Sequence, residues 1–162
     1  MGTRSLTIVK DTQGREVLNM YRQYDGYPTG HGEEVADFLK EYTVVDGLPL
    51  GVKKKMFNGV GCMAASIVKH FKENAGGIYL NPAGMRDCGE EYIYEVTVDS
   101  GRILLKVLAG CVTFFGLAGT KEDNMNIIFF GDVKNYNGEK VELVQKDGKT
   151  PPINDFLEER TE

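Results

Sequence analysis

The apolar positions of the chain change period three times along its length, and each change predicts a different element. Ser5–Lys10 (SLTIVK) alternates in the two-residue period of a strand, and so does Val17–Gln23 (VLNMYRQ). The polar, glycine-containing DTQGRE between them reads as the turn of a hairpin. The period then lengthens. In GEEVADFLKEY, Val35, Phe38, Leu39 and Tyr42 recur at helical spacing, with Glu33 and Glu34 in the first turn where the helix dipole favours anions. A second helix starts near Val60, with Met63, Ala64, Ile67, Val68 and Phe71 on one stripe, and Gly76 or Gly77 suited to cap its end. From residue 77 onward the pattern is β again: GIYLN, EYIYEVTVD, RILLKVLAG, CVTFFG and NIIFFGDV.

Most links between those later strands are two to six residues, too short for parallel crossovers. The expected fold is therefore α+β, an antiparallel sheet meander with two main helices packed on one face. A single domain over residues 1–132 is expected. The polar segment 133–162, with Pro151 and Pro152 and a short helical pattern through Phe156 and Leu157, is expected as an extension. It reads as a hairpin plus tail, or as an arm that docks on another subunit of a homo-oligomer.

Length supports one real core: the chain has 162 residues. A net charge of −5, with no run of more than three basic residues, argues against wrapping a long nucleic acid. Three scattered cysteines with no CxxC pair point to a reducing compartment. No apolar run approaches a membrane span, and no signal peptide is evident, so the cytoplasm is the expected location. The start MGTRSL lacks the Ser or Thr that myristoylation needs at position six.

Two loops concentrate chemistry. MYRQYDGYPTGHGEE holds Tyr21, Arg22, Gln23, Tyr24, Asp25, Tyr27 and His31 between a strand and a helix. Tyrosines offer stackable faces at low entropic cost, and arginine offers a fork for phosphate or carboxylate. His31, just before a helix, is placed to contact an anion or to exchange protons near neutral pH. NPAGMRDCGEEY contributes Arg86, Asp87, Glu90 and Glu91, acidic groups able to serve as acid, base or cation ligand. A third segment, KKKMFNGVGCMAA, sets lysines and the Gly59–Gly61 amides at a helix start, an arrangement suited to phosphate. Its GxGxxA spacing lacks the βαβ context of a dinucleotide fold. Two histidines and dispersed cysteines offer no zinc site, GLAGTK is too short for a P-loop, and no metal or cofactor is expected.

The segments MGTRSLT, MYRQYDGYPTGHG, FNGVGCMAA and AGMRDCGEEYIYEV together resemble a family of short, largely uncharacterised proteins encoded by bacteriophages and some bacteria, over roughly residues 1–98. The resemblance implies a small phage-type cytoplasmic protein and supplies no catalytic residue. The first expectation is thus a protein that binds a nucleotide-like ligand, acting as a sponge for a host immune signalling nucleotide. In it the three tyrosines stack on a base, Arg22, Arg86 and the amides near Gly59 and Gly61 hold phosphate, and Gln23, Asp25, Asp87 and Glu90 complete the site. It requires the two dense loops to converge on one cavity. The alternatives are a hydrolase or transferase using His31, Arg86, Asp87 and Glu91, and a protein that docks on a host protein.

Overall fold

The structure, a computed structural model, describes residues 2–48, 51, 55–110 and 122–147. Six strands form one sheet: β1 (Ser5–Lys10), β2 (Glu16–Arg22), β5 (Ile78–Leu80), β6 (Tyr92–Asp99), β7 (Arg102–Ala109) and β8 (Asn126–Asp132), in the order β5-β2-β1-β6-β7-β8. A separate two-stranded pair joins β3 (Thr43–Val45) to β4 (Met56–Asn58). Three helices, α1 (Glu33–Leu39), α2 (Gly59–Phe71) and α3 (Gly138–Asp147), complete an α+β fold.

The sheet is mixed, not an antiparallel meander. β1 and β6 run parallel, Ser5 opposite Tyr92 through Val9 opposite Val96. Short links cannot make a parallel pair, but the connection from β1 to β6 is long and contains α1, α2 and β5. The remaining pairs of the large sheet are antiparallel. β3 and β4 escape period-based reading because each has three residues. β4 does lead into α2 through the Gly59-Val60-Gly61 turn, but the next strand, β5, belongs to the other sheet, so no βαβ unit forms.

Alternation divides the side chains of the sheet between two cores. On one face Met20, Tyr94, Val96, Leu105 and Val107 pack under Val35 and Leu39 of α1 and Met63 and Ile67 of α2. On the other, Leu6, Ile8, Ile93 and Leu108 meet Met125, with Tyr21 and Cys88 at the margin. α2 ends at Phe71 with an extended Lys72, so Gly76 and Gly77, both at positive φ, turn the chain into β5 rather than cap the helix. The segment after Asp132 is neither a hairpin nor a detached arm where it is described. A 3-10 turn (Val133–Asn135) leads into α3, and Tyr136 and Val141 are buried in the helix-side core. Pro151, Pro152, Phe156 and Leu157, like CVTFFG and GLAGTK, lie outside the described residues.

Between β2 and α1 the chain makes one π-turn, Pro28–Gly32. It is pinned from two sides: the Tyr94 hydroxyl donates to the Gly26 carbonyl at 2.7 Å, and the Tyr136 hydroxyl donates to the Pro28 carbonyl at 2.7 Å. Gly32 lies between these two tyrosines in ordinary helical backbone, and an added Cβ would run into the Tyr136 hydroxyl and the Tyr94 ring edge. The demand there is for space, not for unusual φ. Gly32→Ala is expected to lower stability by about 1–3 kcal/mol through overpacking. Urea denaturation checks this, and a variant as stable as the parent would show that the tyrosines yield without cost.

Candidate functional site

A cleft of about 990 Å³ opens between α1, the C-terminal end of α2, and the turn that enters β5. α1 and the residues after it supply Phe38 and Tyr42, which share one side of the helix, while Glu34, Asp37 and Glu41 bring carboxylates to the rim. α2 supplies His70 and Phe71, and the turn supplies Glu73 and Asn74. From the tyrosine-rich loop only Arg22 and Tyr24 reach it.

The rings are in contact. His70 stacks on Phe38 with centroids 4.0 Å apart and planes 13° from parallel, and Tyr42 stacks on Phe57 at 4.1 Å and 6°. Phe38 joins the two stacks, 5.4 Å from Tyr42. Each such pair adds roughly 0.5–1.5 kcal/mol beyond the area it covers. Phe38 and Tyr42 are only half-buried and His70 is exposed, so ring surface remains open to the cleft. Helical periodicity foresaw that Phe38, Tyr42 and Phe71 face inward. What it did not show is that these three rings, while packed against the core, also line a cleft.

Arg22 is held at the back of the cleft by three partners. Its Nε donates to the Tyr24 carbonyl at 2.6 Å, and its Nη1 donates to Glu34 at 2.5 Å and to His31 Nδ1 at 2.9 Å. Because a guanidinium only donates, His31 Nδ1 must accept. The proton therefore sits on Nε2 and is donated to the Thr7 hydroxyl at 2.7 Å. His31 is fully buried, with Phe71 and Tyr94 edge-on at 4.8 and 5.4 Å. Burial, with the Arg22 charge behind it, pushes its pKa from 6.5 down to about 3. This corrects the expectation for His31: the ring touches no solvent, stays neutral at physiological pH, and cannot act as an acid/base or meet a ligand.

The remaining candidates do not converge. Tyr21 lies on the sheet's other face beside Tyr79, their rings 6.0 Å apart. Gln23 donates its backbone N–H to Gly77, and Asp25, at φ +57°, serves the turn by accepting from the His31 N–H at 2.8 Å. Tyr27 is partly exposed but outside the cleft. Gly59 and Gly61 stand toward the opposite end of α2 from His70, about 14–17 Å away along the helix axis.

The second loop belongs to the other face altogether. Asn19, paired with Ile8 on that face, donates to the carbonyls of Pro82 at 3.3 Å and Met85 at 3.0 Å. Arg86 is clamped between Glu16 and Glu122, its Nε donating to Glu122 at 2.5 Å, and these carboxylates raise its pKa against the effect of burial. Glu90 is buried and accepts from the Cys88 N–H at 2.9 Å. Asp87 and Glu91 are exposed, Glu91 accepting from the Arg4 N–H at 3.3 Å. The expected shared cavity is therefore not formed: the sheet separates Arg22 and Tyr24 from Arg86, Asp87 and Glu90. The physical reason is that β5 runs from Arg22 toward Met20, away from the end of the sheet where β6 begins, so residues 81–91 must return along it, and Asn19 holds them on the face the helices leave open.

Among the described residues, no group of three or more His, Cys, Asp or Glu side chains could hold a metal ion, and no helix is long and apolar enough to cross a membrane. Compared with protein-family models, curated proteins and solved structures, the chain has no match.

The buried ring makes stability depend on pH in a defined direction. In the unfolded chain His31 takes a proton near pH 6.5, whereas in the folded chain it resists until about pH 3. The unfolded state therefore binds the extra proton between these values. The contribution is complete above pH 6.5 and is lost as pH falls, at no more than about 1.4 kcal/mol per pH unit. Urea midpoints measured from about pH 7 down to about pH 5, above most carboxylate titration, test this. His31→Gln, which can still accept from Arg22 and donate to Thr7, is expected to flatten the slope. An unchanged slope in that variant would assign the effect elsewhere.

Proposed function

We propose that the protein binds a small, ring-bearing ligand of the nucleoside or nucleotide type in the cleft between α1 and the end of α2, and holds it without altering it. One observation carries the reading: partly uncovered aromatic rings from three separate elements, Tyr24, Phe38, Tyr42 and His70, surround a single cavity backed by a fixed guanidinium. Stacking a base on such a ring is worth roughly 1–3 kcal/mol and tolerates different bases, because every base has a π face. A cleft of this volume is also within the usual range for small-molecule sites.

Holding is favoured over turnover by the fate of the candidate catalytic groups. His31 is sealed in the core, and Arg86 is spent on two carboxylates across the sheet. The resemblance to phage-encoded proteins extends the proposal to a role: sequestration of a host immune signalling nucleotide. The tyrosine-rich loop supports it through Arg22 and Tyr24, while its other members shape the turn that fixes them.

The test is a panel of nucleosides and of linear and cyclic nucleotides, scored by thermal stabilisation and followed by heat denaturation and analysis of what is released. Stabilisation with intact ligand recovered is expected. His70→Ala should weaken binding roughly tenfold, the loss of one stacking surface. Arg86→Ala should lower stability without changing affinity, because it leaves Glu16 and Glu122 facing each other far from the cleft. Recovery of altered ligand would favour the enzyme reading, and no stabilisation by any member of the panel would favour docking on a protein.

A further inference from the structure

The charged groups of the cleft are matched among themselves in a way that restricts what the ligand can carry into it. Among the described residues, the lining holds two cations, Arg22 and Lys55, and four carboxylates, Glu34, Asp37, Glu41 and Glu73. Each cation already has a carboxylate: Arg22 binds Glu34 at 2.5 Å, and Lys55 binds Glu41 at 2.6 Å while its ammonium stands 5.8 Å from the Tyr42 ring centre. Asp37 is held by Lys40 at 3.0 Å, outside the lining. Lys72, next to the rim, donates to the carbonyls of Gly76 and Ile78 at 3.1 and 2.8 Å. Glu73 has no ion-pair partner among the described residues.

A phosphate entering this space would have to displace a carboxylate from its cation, and would then leave that carboxylate beside it. Like charges at close range are unfavourable. Arg22 does retain one free donor group, because its Nη2 has no partner among the described residues. With the guanidinium charge already met by Glu34, that group suits a neutral acceptor such as a ring nitrogen or carbonyl oxygen. Aromatic faces beside an unmatched carboxylate are, in contrast, the usual surroundings of an organic cation.

Resting on the proposed binding cleft, we infer that it admits the ring of its ligand uncharged or positively charged and keeps any phosphate outside. The ligand class is then a heteroaromatic base read through stacking and the Arg22 Nη2 group, with phosphate tolerated only at the mouth. A cationic ring gains from Glu73 and from the half-buried Phe38 ring, Tyr42 being already covered by Phe57 and Lys55. This replaces the phosphate grip expected from Arg22, Arg86 and the α2 amides, which the sheet and the length of the helix keep apart.

Three probes that share one base separate the possibilities: adenosine, adenosine 5′-monophosphate, and 1-methyladenosine, whose ring is positively charged at neutral pH. Calorimetric titration of the full chain is expected to rank 1-methyladenosine above adenosine by roughly fivefold, the scale of a cation–π contact, with the monophosphate no tighter than adenosine. Added salt should narrow the gap between the first two. Glu73→Gln should reduce the ratio of 1-methyladenosine to adenosine affinity. Tighter binding of the monophosphate than of adenosine, weakened alike by His70→Ala, would overturn this inference while leaving the cleft as the binding site. Equal affinity of adenosine and 1-methyladenosine would remove the role given to Glu73. If none of the three binds and the wider panel also fails, the cleft reading itself falls with it.

Discussion

Everything at the helix-side end of the molecule depends on one buried chain of hydrogen bonds, from Thr7 through His31 to Arg22 and out to Glu34. It ties the central strand β1, the edge-side strand β2 and the first turn of α1 into one unit. A buried polar group costs free energy unless its partners are in place, so this chain is stable only when complete. Completeness here fixes direction as well. Arg22 can only donate, so the ring must accept at Nδ1, so the ring proton must sit on Nε2, and Thr7 must receive it. A neutral histidine is thus a consequence of its neighbours and of its burial together. Its effect on the cleft is indirect: it holds in place a guanidinium that lines it.

The π-turn explains why histidine lies inside at all. An extra residue per turn re-aims the side chains that follow, and such turns commonly sit beside sites. Here it directs His31 inward against Phe71 and Tyr94 and lets α1 begin with Glu34 beside Arg22. The turn is held by phenols from β6 and from the segment before α3. Additional clamps come from α3 itself. Glu142 accepts from the Thr29 hydroxyl at 2.6 Å, and Glu33 accepts from the Gly138 N–H at 2.6 Å. Residues that look like a polar appendage in sequence are therefore part of what shapes the loop, one step removed from the cleft.

Much of the fold was legible because long periodic segments carry their own signal. β1, β2, β6, β7 and β8 fall where the apolar spacing puts them, within a residue or two, while α1 and α2 start as expected and end earlier, at Leu39 and Phe71. The parallel β1–β6 pair was not legible, because pairing partners are chosen by the path of the connection and not by the strands themselves. β3, β4 and α3 were missed for a different reason: three residues make no period, and α3 buries little more than Val141. Of the candidates in the tyrosine-rich loop, Arg22 and Tyr24 line the cleft and Tyr21 does not. Tyr21 and Arg22 are consecutive in β2 and so take opposite faces, which sends Tyr21 to the second core, away from Arg22. That alternation was available in the sequence. The matching of Arg86 to Glu16 and Glu122 was not, since those residues stand 70 and 36 positions away.

The contrast between the two arginines carries the last step. Each is held by a carboxylate, and each was a candidate for gripping an anion. Arg86 has carboxylates at both ends of its guanidinium and a half-buried position against the sheet, so it acts as a brace. Arg22 has one carboxylate, one carbonyl and one neutral ring nitrogen, none of them on Nη2, and it is among the residues that line the cleft. A guanidinium held in this way loses little entropy on meeting a ligand, so a single hydrogen bond from it contributes nearly its full strength. The neutrality of His31 is what makes this arrangement possible, because a protonated ring could not accept from Arg22 and would repel it. In the proposed binding reading the buried histidine and the partly covered rings act together: one fixes the donor, and the others supply the surface against which a planar guest would lie.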